Sequence, residues 1–513
     1  MKHITKKAIL LLSISLISIL SLATTTAPFY NILDYGAKGD GKNLDSKAIN
    51  TAIEAASSAG GGTVYLPAGM YLCGSIRLKS HVGLYLDQAA TIMAAPVNAQ
   101  NDYDSVEVSI NTKYQDFGHS HFKNSLIWGI DLEDVSISGN GRIDGRNLFK
   151  NWVAGSAQNS NKSIALCRCK NVSIRDISIL HGGWFAILAT GVDNLSIDNL
   201  KIDTNRDGMD IDCCRNVHIS NCSVNSPYDD GICLKSSFAL GFARATENVT
   251  ISDCMVSGYD EGTFMDGTYM RTLNPEYGTY PMGRIKFGTE SNGGFKNIAI
   301  TNCVFDYCHG LALESVDGAL LEDVVISNIT MRDVVSDPIF LRIGARMRGP
   351  AGVAVGTLRR VKISCITVYN ADPAYTCTIA GLPGHPIEDI HLSNIRIYYK
   401  GGGTKEEALS EVPENEHAYP EPGMFGPAAA YGMFVRHAKD ITISDVEFTF
   451  EQPDLRPAYI FDDADGIDLR DITVQRSENT NAIMLKNVAN FSILQSPGFE
   501  DLKIDKTAGK ELK

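Results

Sequence analysis

The sequence predicts an all-β fold, a right-handed parallel β-helix (a solenoid) with a helical cap at its N-terminal end. A nine-residue pattern recurs along most of the 513 residues, and no helical periodicity separates its copies. In a solenoid of this kind each coil buries its inward side chains against the coils above and below. A leucine-rich horseshoe is the competing solenoid, but its leucine spacing is absent from this sequence.

Each copy of the pattern begins with Asp, Asn or occasionally another residue and then alternates apolar and polar residues. A polar pair such as Ser-Asn or Ser-Asp interrupts the alternation before a second short apolar stretch. Since an alternation of period two is typical of strands, each copy predicts two strands joined by a bend. The copies begin at residues 134, 171, 194, 216, 248, 297, 323, 360, 389, 440 and 466.

The N-terminal end of the solenoid is predicted to be closed by a helix. Asp45 is placed to cap a helix over Ser46–Ser58, which three consecutive glycines then end. Two long stretches, at about 257–283 and 399–432, interrupt the repeat. We expect them to form loops on one face and to shape a cleft there.

The first residues are typical of an export signal. Three lysines within the first seven residues precede an apolar run from Ala8 to Leu22, which is short for a membrane span. We predict a signal peptide over residues 1–23, cleaved after Ala23 or Ala27, although an uncleaved anchor is the alternative. A single β-helix domain is predicted over residues 28–500. The mature protein is expected to be periplasmic or extracellular, monomeric, and without membrane contact after cleavage.

Charge and cysteine usage narrow the functional classes. A net charge of −14 argues against a nucleic-acid partner, and an anionic substrate would need a local basic patch. Cys222, Cys254 and Cys303 occupy the same position in three copies, and we assign Cys365 to the equivalent position in a fourth. We therefore predict a buried column of thiols rather than disulfides. No metal ion or cofactor is predicted.

Three aspartates are the strongest candidates for chemistry. Asn205-Arg206-Asp207-Gly208 is followed by Tyr228-Asp229-Asp230-Gly231 at the same place in the next copy. If the copies stack as coils, the three carboxylates lie on one surface, where they cannot all be ionised comfortably. Such a group suits acid–base hydrolysis, and a ladder of turn-capping aspartates is the alternative. The later Asp462-Asp463 pair lacks a partner one copy earlier and is predicted to be a turn.

These motifs resemble those of glycoside hydrolase family 28, the polygalacturonase and rhamnogalacturonan hydrolase group. The resemblance extends from residue 29 to about residue 475, with Asn205-Arg206-Asp207 matching Asn-Thr-Asp and Asp229-Asp230 matching Asp-Asp. It implies that Asp229 is the general acid, while Asp207 and Asp230 position and deprotonate water. It also implies inversion of configuration, with an acid-to-base separation of roughly 6.5–9.5 Å.

Two other motifs of that family are altered. The Gly-His-Gly expected at Met282-Gly283-Arg284 lacks its histidine, and the Arg-Ile-Lys expected after Gly310 is replaced by Ala-Leu-Glu. An Arg284-Ile285-Lys286 string aligns one coil early and is interpreted as a coincidence of letters, with Arg284 and Lys286 lining the cleft as the open alternative. The predicted substrate is an α-linked galacturonate- or rhamnogalacturonan-containing pectic polysaccharide or oligosaccharide. A sugar other than galacturonate, such as rhamnose, is expected at the cleavage point.

Further polar residues near the aspartates are predicted to bind substrate or to support the site. Asp210 is assigned to a ladder or a supporting role, and His119 and His121 are left unassigned. The predicted substrate-binding residues are Asn205, Lys235, Arg244, Lys286, Glu290 and His309.

Two alternative functions stay open. A calcium-dependent pectic lyase would hold its metal with Asp229 and Asp230 and use an Arg or Lys as base. A non-catalytic carbohydrate-binding β-helix would need aromatic platforms, and the sequence contains only Trp128, Trp152 and Trp184.

Overall fold

A computed structural model describes residues 29–98, 100–108, 112–148, 160–272 and 281–513, so the predicted signal peptide lies outside the described residues. Within these ranges 34 strands stack as successive coils, with parallel pairing up to the last pair. The predicted parallel β-helix is therefore confirmed. The helices are short: α1 (Ser46–Ser58), α2 (Thr263–Asp266), α3 (Lys405–Ala408) and 3-10 helices at Ile32–Tyr35, Phe117–Ser120 and Pro422–Phe425.

The coils form three sheets that run along the solenoid, and the strands lengthen towards the C-terminus. Sheet I begins with β1 (Phe29–Asn31), β3 (Gly62–Leu66), β6 (Val82–Leu86), β9 (Glu133–Gly139), β12 (Lys170–Arg175), β15 (Asp193–Asp198), β18 (Arg215–Ser220) and β21 (Thr246–Ser252). Sheet II begins with β2 (Asp40–Leu44), β4 (Gly69–Cys73), β7 (Ala90–Ala94), β10 (Arg142–Asp144), β13 (Ser178–Leu180), β16 (Lys201–Asp203), β19 (Ser223–Asn225) and β22 (Met255–Ser257).

Sheet III is preceded on two adjacent coils by the loops that contain Asp207, Asp229 and Asp230. It contains β5 (Ile76–Arg77), β8 (Ile127–Ile130), β11 (Ile164–Cys167), β14 (Ile187–Thr190), β17 (Met209–Asp212), β20 (Ile232–Ser236), β23 (Ile285–Ser291), β25 (Leu311–Ser315), β27 (Ile339–Ile343) and β29 (Cys377–Ala380). Long bent strands continue more than one sheet: β24 (Phe295–Asp306), β26 (Leu320–Arg332), β28 (Thr357–Ala371), β30 (Ile387–Gly401), β31 (Met433–Gln452), β32 (Tyr459–Val474) and β33 (Ile483–Leu494). The last strand is β34 (Leu502–Leu512), beyond the predicted limit at residue 500.

Inward side chains stack in columns because the parallel register repeats from coil to coil. Cys222, Cys254 and Cys303 are buried free thiols, as predicted, and their column continues as isoleucine in later coils. The assignment of Cys365 to this column was wrong. Cys365 is exposed with φ +56°, because it lies one residue earlier, in the corner position that asparagine occupies in the preceding coils.

Asparagines form a second ladder at the first position of the repeat. The amides of Asn194, Asn216, Asn248 and Asn297 each donate to the side-chain oxygen of the preceding asparagine, over 2.8–3.0 Å. All four have φ between +55° and +57°, a left-handed conformation that asparagine tolerates better than most residues. The polar first residue of each copy therefore turns the chain and also links the coils.

The N-terminal helix spans Ser46–Ser58 as predicted, but Asp45 does not cap it with its side chain. Its carboxylate instead accepts hydrogen bonds from the backbone of Lys38 and Gly39, since the loop before β2 folds over it. The Asp462-Asp463 pair lies within β32 rather than in a separate turn, although φ of Asp463 is +52°. No helix among the described residues is both long enough and apolar enough to cross a membrane.

Candidate active site

The three aspartates lie in loops that enter sheet III on adjacent coils. Asp207 precedes β17, whereas Asp229 and Asp230 precede β20, and the two strands pair in parallel from their first residues. Glycine follows each loop because the loops pack closely. A Cβ on Gly208 would lie 2.4 Å from the carbonyl oxygen of Gly231. The two motifs therefore lie on adjacent, stacked coils, as predicted.

Asp207 and Asp230 face each other inside the site. Each side chain presents an oxygen within 4.8 Å of one from the other, a separation that one water molecule can bridge. Burial, together with the nearby charges of Asp210 and Asp229, raises the pKa of Asp207 well above its usual range. Burial also acts on Asp230, but Lys286, Arg284 and Lys235 outweigh it and lower its pKa to about 2. The pair thus combines a carboxyl group that retains its proton with a carboxylate.

Asp229 is more exposed than its two neighbours, with 20% of its side chain accessible. Arg206 donates to its Oδ2 from Nε and Nη2, and the same Nη2 lies 3.8 Å from Asp207. The guanidinium lies over the ring of Trp184, with Cζ 4.0 Å from the ring centre. The family resemblance implies that Asp229 is the general acid, whereas the raised pKa in this group is that of Asp207.

Arg284 and Lys286 lie beside Asp230, although their string aligns one coil early. Arg284 Nε donates to Asp230 Oδ1 at 2.8 Å, and Lys286 Nζ lies 3.5 Å from Asp230 Oδ2. Both side chains are 1% exposed. Because Ile285, the first residue of β23, points inward between them, Arg284 and Lys286 project on the same side towards the carboxylate.

A second group of titratable residues surrounds these cations. Arg284 forms a bidentate pair with Glu421, and its Nη1 lies 3.5 Å from His309 Nδ1. Burial and the neighbouring Arg284 lower the pKa of His309 to about 4. Burial raises the pKa of Glu314, which lies 3.5 Å from Lys286, to about 8. The predicted residue His309 is therefore close to the site, but it contacts Arg284 and Glu421.

Lys235 and Glu290 were predicted to bind substrate, and the structure pairs them with each other. Lys235 Nζ lies 3.3 Å from Glu290 and 3.9 Å from Asp210, and both Lys235 and Glu290 are buried. Glu290 also accepts a hydrogen bond from Arg348 at 3.0 Å, while His119 lies 3.1 Å from Asp210. Asp210 and His119 therefore belong to one buried network with Lys235 and Glu290.

Of the two remaining predicted residues, Asn205 lies in the site and Arg244 does not. Asn205 is buried beside the aspartates and contacts Glu261, whose pKa burial raises to about 7. Arg244 lies elsewhere, because its guanidinium pairs with Asp193 at the start of β15. The prediction of Arg244 as a substrate contact is therefore not supported by its position.

Both long interruptions of the repeat deliver residues to the site. The first supplies Glu261, and the second supplies Tyr419 and Glu421. Tyr419 lies beside Thr289, with 2.9 Å between the hydroxyl oxygens, and its ring centre lies 5.3 Å from Lys286 Nζ. Sequence reasoning missed these residues, because only the position of the interruptions pointed to them.

Comparison with known proteins connects this geometry to a family. Residues 29–175 match the family described as rhamnogalacturonase A/epimerase, pectate lyase-like, and residues 108–272 match the right handed beta helix region. A probable polygalacturonase of Vitis vinifera is 26% identical over 396 residues, which cover 68% of this chain and 76% of the relative. Plasmin and fibronectin-binding protein A of Streptococcus pneumoniae is 32% identical over 267 residues, which cover 48% of this chain and 34% of that protein.

Among solved structures, the family 28 exopolygalacturonase of Yersinia enterocolitica superposes with a TM-score of 0.64, covering 88% of this chain and 78% of that one. At 17% identity this likeness concerns the fold, which is the right-handed β-helix that the sequence predicted. The predicted resemblance to glycoside hydrolase family 28 is confirmed by the similarity to the Vitis vinifera relative, and the fold of the chain is a right-handed parallel β-helix.

Proposed function

We propose that this protein is an inverting glycoside hydrolase that cleaves α-linked galacturonate- or rhamnogalacturonan-containing pectic polysaccharides or oligosaccharides. The observation that carries the proposal is the facing of Asp207 and Asp230, where Asp207 favours the protonated form and Asp230 the carboxylate. Because their oxygens lie within 4.8 Å, closer than the roughly 6.5–9.5 Å between acid and base of an inverting enzyme, the carboxyl group that meets the glycosidic oxygen is Asp229. Glycoside hydrolysis requires one carboxyl group that donates a proton and one carboxylate that acts as a base. The Vitis vinifera relative, described as a probable polygalacturonase, supports the pectic substrate class.

The surroundings of each carboxyl group suggest its role. Asp230, kept ionised by Arg284 and Lys286, acts as the base that deprotonates the attacking water. Asp207 and Asp229 act together as the acid, because both lie within 3.8 Å of the same Arg206 nitrogen. Asp229 is the more exposed of these two and meets the glycosidic oxygen. It passes on the proton that Asp207 holds in the free enzyme, and Asp207 regains a proton from Asp230, which took one from the attacking water.

The charges around the aspartates favour hydrolysis over the two alternatives. A calcium-dependent lyase needs several free oxygen ligands, whereas Asp230 already pairs with Arg284 and Lys286. A binding protein such as the Streptococcus pneumoniae relative has no need of a carboxyl group with a raised pKa beside one with a lowered pKa. These two features support an enzyme.

Product analysis tests the proposal. Rhamnogalacturonan, homogalacturonan and their oligomers are incubated with the protein, and products are read by mass and anomeric configuration. We expect saturated products with inverted configuration, formed equally well in EDTA. An unsaturated product that absorbs in the ultraviolet and requires calcium would identify a lyase.

A variant pair assigns the activity to the aspartates. Asp230→Asn is expected to lower kcat by about 10²–10⁴-fold, since it removes the base. Asp462→Asn is the matched control, because Asp462 also pairs with an arginine, Arg436 at 3.4 Å, on a later coil. Equal turnover by the two variants would refute the catalytic role of Asp230.

We also propose that the mature protein is exported and monomeric. The lysine-rich, apolar start of the chain supports export. Sequencing the N-terminus of the protein recovered outside the cytoplasm should show loss of the first 23 or 27 residues, and light scattering of that material should give the mass of one chain. An intact N-terminus or a multiple of that mass would contradict the respective proposal.

A further inference from the structure

Each of the three side-chain nitrogens of Arg284 donates to a carboxylate of the protein. Nε donates to Asp230, while Nη1 and Nη2 form the bidentate pair with Glu421. This two-point geometry is the one by which arginine binds a free carboxylate group in a ligand. Lys286 Nζ also lies near the same carboxylate, 3.7 Å from Glu421 Oε1. The carboxylate of Glu421 therefore occupies the position in which a uronate carboxylate could meet both cations.

Glu421 reaches these cations from outside the coils. It belongs to the long interruption between β30 and β31, whereas Arg284 and Lys286 belong to the solenoid itself. Its side chain is 26% exposed and those of the two cations are 1% exposed, so Glu421 stands between them and solvent. A sugar that approached Asp230 from solvent would meet Glu421 before it met either cation.

The segment that carries Glu421 is held in place by arginines of the solenoid. Arg342 donates to the carbonyl oxygen of Glu414 at 2.9 Å, and Arg436 donates to that of Val412 at 2.8 Å. The backbone N–H of Ala345 donates to the carbonyl oxygen of Glu416 at 2.6 Å. Because these contacts involve neither Asp230 nor Arg284, the position of Glu421 does not depend on Arg284 alone.

The charges of the group cancel at neutral pH. Arg284 and Lys286 are opposed by Asp230 and Glu421, so two positive and two negative charges are present. His309 and Glu314 add none near pH 7, because their pKa values are about 4 and about 8. A uronate brought into this group would add an unmatched negative charge to a buried site, which is costly.

We propose that Glu421 supplies from within the protein the carboxylate that Arg284 and Lys286 would otherwise take from a uronate, so that the subsite beside Asp230 accepts a neutral sugar. This proposal rests on the proposed function, because it names the sugar class of the same site. It makes Glu421 a specificity-determining residue. Rhamnose in a backbone that alternates with galacturonate has the required chemistry.

Binding of two matched probes tests the proposal. The probes are an α-linked oligogalacturonide and its carboxyl-reduced form, which has the same linkage and no charge. Their dissociation constants are measured by calorimetry on the full chain in an Asp229→Asn background, so that turnover does not consume them. Glu421→Gln in that background is expected to shift the affinity ratio at least about tenfold towards the oligogalacturonide. Without the charge of Glu421, only Asp230 opposes Arg284 and Lys286, so the group carries one net positive charge.

A matched variant and a salt series make the result specific. Glu414→Gln removes a glutamate of the same interruption that pairs with Arg436 at 2.9 Å, and it should leave the ratio unchanged. The affinity gained by Glu421→Gln should decline as salt rises from 0.05 to 0.5 M, as expected for an ion pair. An unchanged ratio, or failure of Glu421→Gln to bind the oligogalacturonide, overturns the proposal. Turnover by the parent protein tests the hydrolase assignment separately, since binding needs no hydrolysis.

Discussion

Arg206 donates to Asp229 from two nitrogens, Nε at 3.2 Å and Nη2 at 2.8 Å. Arginine stands at the position where the Asn-Thr-Asp motif has threonine, so a neutral residue of that motif is replaced by a permanent charge. The ring of Trp184 lies against the guanidinium and fixes where this charge sits. The charge of Arg206 therefore influences how readily the neighbouring aspartates hold a proton.

Replacing Arg206 by glutamine should move the alkaline limb of the pH–activity profile to higher pH. Arg206 is one of the charges that oppose the upward shift of the Asp207 pKa, so its loss raises that pKa further. Because the protonated acid is the active form, activity persists to a pH higher by about one unit. The profile of kcat/KM against pH measures this limb. Arg168→Gln, which loses an exposed pair with Asp131, is the control, and a shift to lower pH would contradict the prediction.

Stability should fall with rising pH in a way that depends on Glu314. Burial raises the pKa of Glu314 from 4.5 to about 8 in the folded protein. The unfolded chain releases this proton first, so the contribution is complete below pH 4.5 and is lost as pH rises towards 8. Glu314→Gln should therefore flatten the decline of Tm between pH 5 and 8.5 and raise Tm at pH 8.5 by about 1–4 °C.

Other buried acids also make Tm depend on pH, so their contribution must be measured separately. Burial raises the pKa of Asp337 to about 8 as well, so some decline should remain in Glu314→Gln. Scanning calorimetry of Glu314→Gln, Asp337→Asn and the double variant separates the two contributions. A decline in Glu314→Gln as steep as that of the parent would show that Glu314 is ionised in the folded protein at neutral pH.

Replacing Lys235 by methionine should destabilise the fold by about 3–5 kcal/mol, because it leaves buried carboxylates without their counter-charge. Lys235 Nζ lies near both Glu290 and Asp210, and the two acids are at most 4% exposed. Adding Glu290→Gln to Lys235→Met should recover part of the loss, which denaturant titration of the single and double variants measures. If the two losses simply add, the buried pair is not energetically coupled.

The asparagine ladder allows backbone strain to be separated from hydrogen bonding. Asn216 has φ +56°, accepts from Asn248 and donates to Asn194. Asn216→Gly loses both bonds but tolerates the conformation, whereas Asn216→Ala loses the bonds and is also strained. We expect alanine to lower stability by about 1 kcal/mol more than glycine, measured by chemical denaturation. Equal losses would show that conformation contributes nothing at this corner.

The fold could be predicted closely because a solenoid is a local repeat. Period-two alternation set the strands, and the polar corner residues that recur in each copy proved to have positive φ. The prediction was wrong at Cys365, because this cysteine lies one residue earlier in its copy than the inward position. The next residue, Ile366, continues the inward column. A one-residue shift reverses the face of a side chain, so register errors are the ones that sequence patterns permit.

The site could be predicted only where its residues belong to the repeat. Equal placement in successive copies brought Asp207 and Asp230 together, but the same reasoning assigned Lys235 to the substrate, although Glu290 binds it. A buried lysine and a solvated one look alike in sequence. Burial depends on the loops that cover a sheet, and those loops have no period.

The sequence by itself determined the β-helix and the three aspartates on neighbouring coils, because a repeating register carries equivalent positions onto one surface. The tertiary structure alone decided which charges face those aspartates. Glu421 meets Arg284 across 137 residues of chain, through an interruption whose path is set by packing rather than by the repeat. Ionisation of a buried group follows its nearest charges, so the partition of proton and charge among Asp207, Asp229 and Asp230 could not be read from spacing.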